Sequence, residues 1–179
     1  GETTEGWFTL KFDIYYWTGT DSDLWETASN WAMNPDGSGQ VSVVPNYDNQ
    51  SLEIYITQNA KNPLKVSKNF VAKIIEIPTE KQLIMNADAK ITQMKNEGEF
   101  KINGNVEIAN LLNKKNVIVE SKKLVIESYS EENSQIVIYE GAELNTTSTI
   151  SNVIFTKTET LDDYITLTTN EKLTISNVA

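Results

Sequence analysis

Cysteine, histidine and arginine are all absent from this chain, and its 15 basic residues are all lysine. Without cysteine there is no disulfide framework, no thiolate nucleophile and no cysteine metal site. Without histidine there is neither an imidazole base nor a Ser-His-Asp triad. Without arginine there is no bidentate clamp for phosphate. Catalysis would have to rest on carboxylates, lysine, tyrosine or a hard cation. Long apolar runs are missing too: no stretch approaches the roughly 18 residues that a membrane-spanning helix needs. Tryptophan is missing after residue 31, for all four (Trp7, Trp17, Trp25 and Trp31) lie before residue 32.

The 179 residues carry a formal charge of −10 and 39% hydrophobic residues. The charge should repel nucleic-acid phosphates and anionic membrane surfaces, so neither a nucleic-acid partner nor membrane insertion by this segment is expected. The hydrophobic share is low for a compact globule and suits a thin structure with much surface per residue. The chain begins Gly1-Glu2-Thr3-Thr4, which reads as a mature or recombinant start with any signal peptide already removed.

Residues 7–16 alternate, with Phe8, Leu10, Phe12 and Ile14 on one face of a half-buried strand. Residues 18–40 are polar and turn-rich, with a short helical turn expected at 26–31 and a tight turn at Asn34-Pro35-Asp36-Gly37. From residue 51 a series of short strands begins: 52–56, 74–77, 82–85, 90–94, 99–102, 105–108, 117–120, 123–127, 135–139, 150–155, 164–168 and 172–176. Polar separators join them, and no long amphipathic helix competes.

Internal similarity indicates a repeat. Thr149–Val153 returns as Thr174–Val178, a shift of 25; Lys123–Ile126 resembles Lys172–Ile175, a shift of 49; Leu83–Ile91 matches Ile136–Leu144, a shift of 53. These suggest a solenoid coil of about 25 residues. The expected fold is therefore all-β: a single-stranded parallel β-helix, or solenoid, with an aromatic-rich cap over residues 1–48 and coils over 49–179. The last strands look like further repeats, so the chain reads as cut from a longer protein. A β-sandwich is the alternative, with antiparallel hairpins.

The run Trp17-Thr18-Gly19, Trp25, Asn30-Trp31, Val44-Pro45 and Leu52-Glu53-Ile54 resembles the start of bacterial surface β-solenoid proteins, autotransporter passenger-like and other secreted adhesins. Segments Leu83–Ile91 and Ile136–Leu144 resemble their coils, although Asp88 stands where the coil glycine usually falls and Gly141 keeps it. The resemblance implies an exported, extracellular or cell-surface protein that displays or adheres, contacting a protein or glycan of a host or neighbouring cell. It carries over no catalytic residues and no cofactor.

Candidate sites follow from residue chemistry. Trp17, Trp25, Trp31 and Tyr47, with Tyr15 and Tyr16 nearby, are the residues that could stack on sugar rings; a structural cap is the simpler use of clustered aromatics. Asp21-Ser22-Asp23 and Asn34-Pro35-Asp36-Gly37 look like hard-cation loops but lack the six to eight spaced oxygens calcium needs, so no metal is expected. The acid pairs Asp162-Asp163, Glu131-Glu132 and Glu97/Glu99 raise a glycosidase or lyase reading, but strand neighbours point to opposite faces and read better as solvated turns. Lys114-Lys115 and Lys122-Lys123 read as solubilising surface. Asn145-Thr146-Thr147 is a glycosylation sequon, meaningful only in a eukaryotic secretory setting, and reads better as an asparagine or threonine ladder between coils. The expectation is a non-enzymatic structural or adhesive solenoid; a carbohydrate-binding sandwich and an extracellular polysaccharide-active β-helix enzyme are the alternatives.

Overall fold

The computed structural model describes residues 13–156. In chain order the strands are β1 (Ile14–Trp17), β2 (Trp31–Ala32), β3 (Glu53–Ile56), β4 (Leu64–Val66), β5 (Phe70–Ile77), β6 (Gln82–Met85) and β7 (Ala89–Asn96). They continue with β8 (Glu99–Ile102), β9 (Asn105–Asn113), β10 (Asn116–Val119), β11 (Lys123–Glu131), β12 (Gln135–Tyr139), β13 (Glu143–Thr146) and β14 (Val153–Thr156). Among the described residues a single 3-10 turn, Ala28–Asn30, accompanies them. From β3 onward the chain alternates between two sheets. One has the order β13-β11-β9-β7-β5-β3-β1-β2, the other β14-β12-β10-β8-β6-β4. Every pairing in them is parallel except β1 with β2. This is a β-solenoid of about six turns, and the parallel ladders rule out the sandwich.

The coil is shorter than the sequence shifts suggest. Leu83 pairs with Phe100, Phe100 with Val117 and Val117 with Ile136, so the 53-residue shift from Leu83 to Ile136 spans three coils rather than two. Coils take 17 to 21 residues because each corner absorbs a different number; Ile54 to Ile75 takes 21 and Met94 to Leu111 takes 17. The strand expectations at 164–168 and 172–176, and the shifts ending at residues 175 and 178, lie outside the described residues.

Each long strand of the larger sheet bends once. Inward residues alternate to Ala72, then two successive residues, Lys73 and Ile74, both fall outside the core before Ile75 turns inward. The same doubling recurs at Thr92-Gln93, Ala109-Asn110 and Glu127-Ser128. The backbone ladder skips these corners: Ala72 pairs with Ile91 and Ile74 with Gln93, but Lys73 and Thr92 have no pairing between them. The core is a set of stacked columns, such as Leu64, Leu83, Phe100, Val117, Ile136 and Val153, each 2% exposed or less. Burying each such aliphatic side chain stabilises the stack by about 1.5–3 kcal/mol. Tight corners need particular residues. A Cβ on Gly104 would sit 2.0 Å from the Ala87 carbonyl oxygen of the coil below, so only glycine fits. Gly141 holds φ +78°. Asp88, at the matching corner, instead uses its carboxylate to accept from the Asn105 backbone N–H at 2.8 Å.

The strand at the N-terminus has the opposite parity to that read from its sequence. Ile14 is 46% exposed, while Tyr15 and Trp17 face the core. The parallel register with β3 sets this, since it aligns Tyr15 with Ile54 and Trp17 with Ile56, both inward. Phe8, Leu10 and Phe12 lie outside the described residues. Among the described residues no helix is long and apolar enough to cross a membrane.

Candidate functional site

The Trp17–Pro45 block closes the first coil, and Asn30 organises it. Fully buried, Asn30 accepts through its side-chain oxygen from the backbone N–H groups of Asp21 (2.8 Å) and Ser22 (3.1 Å). Its amide donates to Ser22 Oγ and to the Leu24 carbonyl. Its own carbonyl accepts from the N–H of Thr18 and Gly19. Gly19 holds φ +52°, and a Cβ there would lie 2.6 Å from the Asn62 carbonyl oxygen. That carbonyl accepts the Trp17 indole N–H at 2.9 Å.

Trp17, Trp25 and Trp31 are 0, 1 and 1% exposed. Their rings pack edge to face, Trp17 to Trp31 at 4.9 Å and Trp25 to Trp31 at 5.0 Å. Each indole N–H is used: Trp25 donates to the Pro45 carbonyl and Trp31 to the Trp25 carbonyl. Stacking on a sugar requires an exposed ring face, and these three rings have none; they build the cap. Tyr47 keeps partial exposure. It stacks on Trp25 at 4.7 Å and donates its phenol proton to Glu26 at 2.7 Å. Burial, then Glu26, raise the Tyr47 phenol pKa, and the Tyr47 hydrogen bond lowers that of Glu26. A cavity of about 790 Å³ opens beside the cap between Tyr15, Met33, Val41 and Val43.

The other sequence-read sites resolve into turns and ion pairs. Asp36 caps its own turn, accepting from the Ser38 N–H and hydroxyl. Asp21 bonds the Ser29 hydroxyl and Asp23 pairs with Lys65. Among the described residues no three histidine, cysteine or acidic side chains gather as metal ligands would. Lys114 bridges Glu132 at 2.8 Å and Glu97 at 3.9 Å, while Glu99 accepts from Gln82. Asp162 and Asp163 lie outside the described residues. The asparagine ladder lies not at Asn145, whose partner in register is Val125, but at Asn96 and Asn113.

Sequence reading missed a lateral trough on the larger sheet. Two outward columns run along the solenoid axis by register. One is Tyr16, Tyr55, Glu76, Lys95, Leu112 and Ser130; the other is Glu53, Ile74, Gln93, Asn110 and Ser128. Tyr16 and Tyr55 lie 5.6 Å apart with rings 28° from parallel. Tyr55 donates to Glu53 at 2.9 Å, and Glu53 pairs with Lys73 at 3.1 Å. Burial first, then Glu53, push the Tyr55 phenol up to about 12. Beyond the tyrosines the columns enclose a groove of about 390 Å³. The inward alternation of Leu52, Ile54 and Ile56 already put Glu53 and Tyr55 outside; only the coil length was needed to align them with the next rungs. Comparison with family models, with curated proteins and with solved structures finds no match for this chain.

Proposed function

We propose that this chain is a non-enzymatic structural or adhesive segment of a secreted or cell-surface bacterial protein. It serves as a rigid rod that presents a lateral face to a protein or glycan of a host or neighbouring cell. The observation that carries this reading is the unbroken parallel ladder from β1 to β13, closed at one end by a cap in which Trp17, Trp25 and Trp31 are wholly committed to packing. Such a stack holds outward side chains in fixed columns at the strand spacing of about 4.8 Å, a geometry suited to contacting an extended partner. The balance of 25 acidic against 15 basic residues favours a partner that is not a polyanion.

The test is a binding screen of the purified chain against arrays of glycans and extracellular-matrix proteins, with incubation products checked for released sugar. A specific hit without product supports display; turnover of a hit would overturn the non-enzymatic reading, and silence across both arrays would overturn the adhesive one.

A further inference from the structure

Resting on that lateral-display reading, we infer that the binding face is the Tyr16–Ser130 trough and that its ligand is an uncharged, hydroxyl-rich polysaccharide strand laid along the solenoid axis.

Three observations converge. The trough starts at a stacked pair of outward-facing tyrosines, Tyr16 and Tyr55, both half-buried, so that a ligand meets the outer side of the pair. Tyr55 cannot swing freely, because its hydroxyl is tied to Glu53. Fixed aromatic rings suit the apolar face of a pyranose and lose little entropy when they bind it. Beyond the tyrosines, the most exposed side chains are amides and hydroxyls, Gln93, Asn110, Ser128 and Ser130, with Ile74, Glu76, Lys95 and Leu112 partly exposed between them. Each amide offers both donors and an acceptor, the complement of vicinal sugar hydroxyls. They recur once per coil, about 4.8 Å apart, a spacing comparable with one pyranose ring.

Charge selects among polysaccharides. Of the trough's acids, Glu53 is paired directly with Lys73, and Glu76 stands in register with Lys95, whose ammonium pairs with Glu97 at the corner beyond. The face is locally neutral on a chain of net charge −10. A polyanion would be repelled by the whole chain and meet no cationic track; a neutral polymer meets neither obstacle.

Affinity electrophoresis tests this with native gels containing hydroxyethyl cellulose, galactomannan or yeast mannan, and with alginate as the polyanion. The whole chain is expected to be retarded by at least one neutral polymer and not by alginate. Tyr55→Ala and Asn110→Ala should each weaken retention about tenfold; Glu107→Ala, on the neighbouring face, should leave it unchanged. Thermal melting checks that each variant is folded, and the exposed Asn110 carries the test if Tyr55→Ala is not. No retardation by any neutral polymer, retardation by alginate alone, or retention indifferent to both substitutions would overturn the inference. Binding to matrix proteins without polysaccharide retention would overturn it while leaving lateral display intact. Retention accompanied by released sugar would support the trough and overturn the non-enzymatic reading alone.

Discussion

Asn96 and Asn113, one coil apart and both fully buried, are joined side chain to side chain: the Asn96 amide donates to the Asn113 Oδ1 at 3.0 Å. Each also closes its own corner, accepting from the N–H two residues on, Gly98 and Lys115 respectively. Each donates to the next coil, to the carbonyls of Asn116 and Gln135. Asn113→Ala would orphan several of these buried groups at once. It should lower the unfolding free energy by roughly 2–4 kcal/mol, read from urea denaturation. Replacing both asparagines by leucine should cost less than the two single leucine changes summed, because Ile77 already fills the same column one coil earlier.

The next rung of that column is Glu131, and it fits poorly. One carboxylate oxygen accepts from the Ser151 N–H, but Oε2 is buried without a partner. Glu131→Asn places an amide where the column's pattern supplies a carbonyl acceptor and a corner N–H. The substitution should raise stability by about 1 kcal/mol, seen as a higher melting temperature. A lower one would show that the ladder cannot extend past Asn113.

Removing a cap tryptophan should act on the whole rod. Trp25 touches Trp31, Tyr47 and Phe70, and its indole N–H is satisfied by Pro45. Trp25→Ala should cost about 3–5 kcal/mol. Loosening the cap also uncovers the backbone edge that the two-residue β2 now shields, so the variant should associate in a concentration-dependent way in light scattering. A monomeric variant of near-native stability would contradict the assignment of these residues to a cap.

High pH should weaken the fold through the tyrosines. The Tyr55 phenol ionises near 12, above its usual value of about 10, because burial and Glu53 disfavour the phenolate. Between those values the folded chain holds a proton that the unfolded chain has lost. Stability is therefore full below about pH 10 and falls as pH rises toward 12. Ultraviolet titration should find a late-ionising tyrosine that Tyr55→Phe removes, and the same variant should flatten the alkaline loss of stability.

Much of this fold was legible in residues whose neighbours along the chain suffice. Strict alternation marked 82–85, 99–102 and 135–139 at the bounds the strands have. The second halves of β9 and β11 were not legible, because two outward residues at each corner, such as Ala109-Asn110, break the alternation. Phe70–Ala72 was lost on the other side of such a corner, and three-residue β4 was too short to show a period. The coil length was misread because corners of unequal length let the best sequence match skip three coils. The tryptophans drew attention as a site because their chemistry is conspicuous, yet the register and the Asn30 network turn them inward. The trough is built from ordinary residues 17 to 39 positions apart, and without register nothing joins them.

The claim that a partner is met by the lateral trough, and not by the aromatic cap, is tested most directly by the tyrosine ring resonances in carbon–proton NMR. Titration of the whole chain with cellohexaose or mannohexaose should move the signals of Tyr16 and Tyr55 and leave those of Tyr47 and Tyr129 in place. Movement confined to Tyr47, or none with either neutral hexasaccharide, would contradict it.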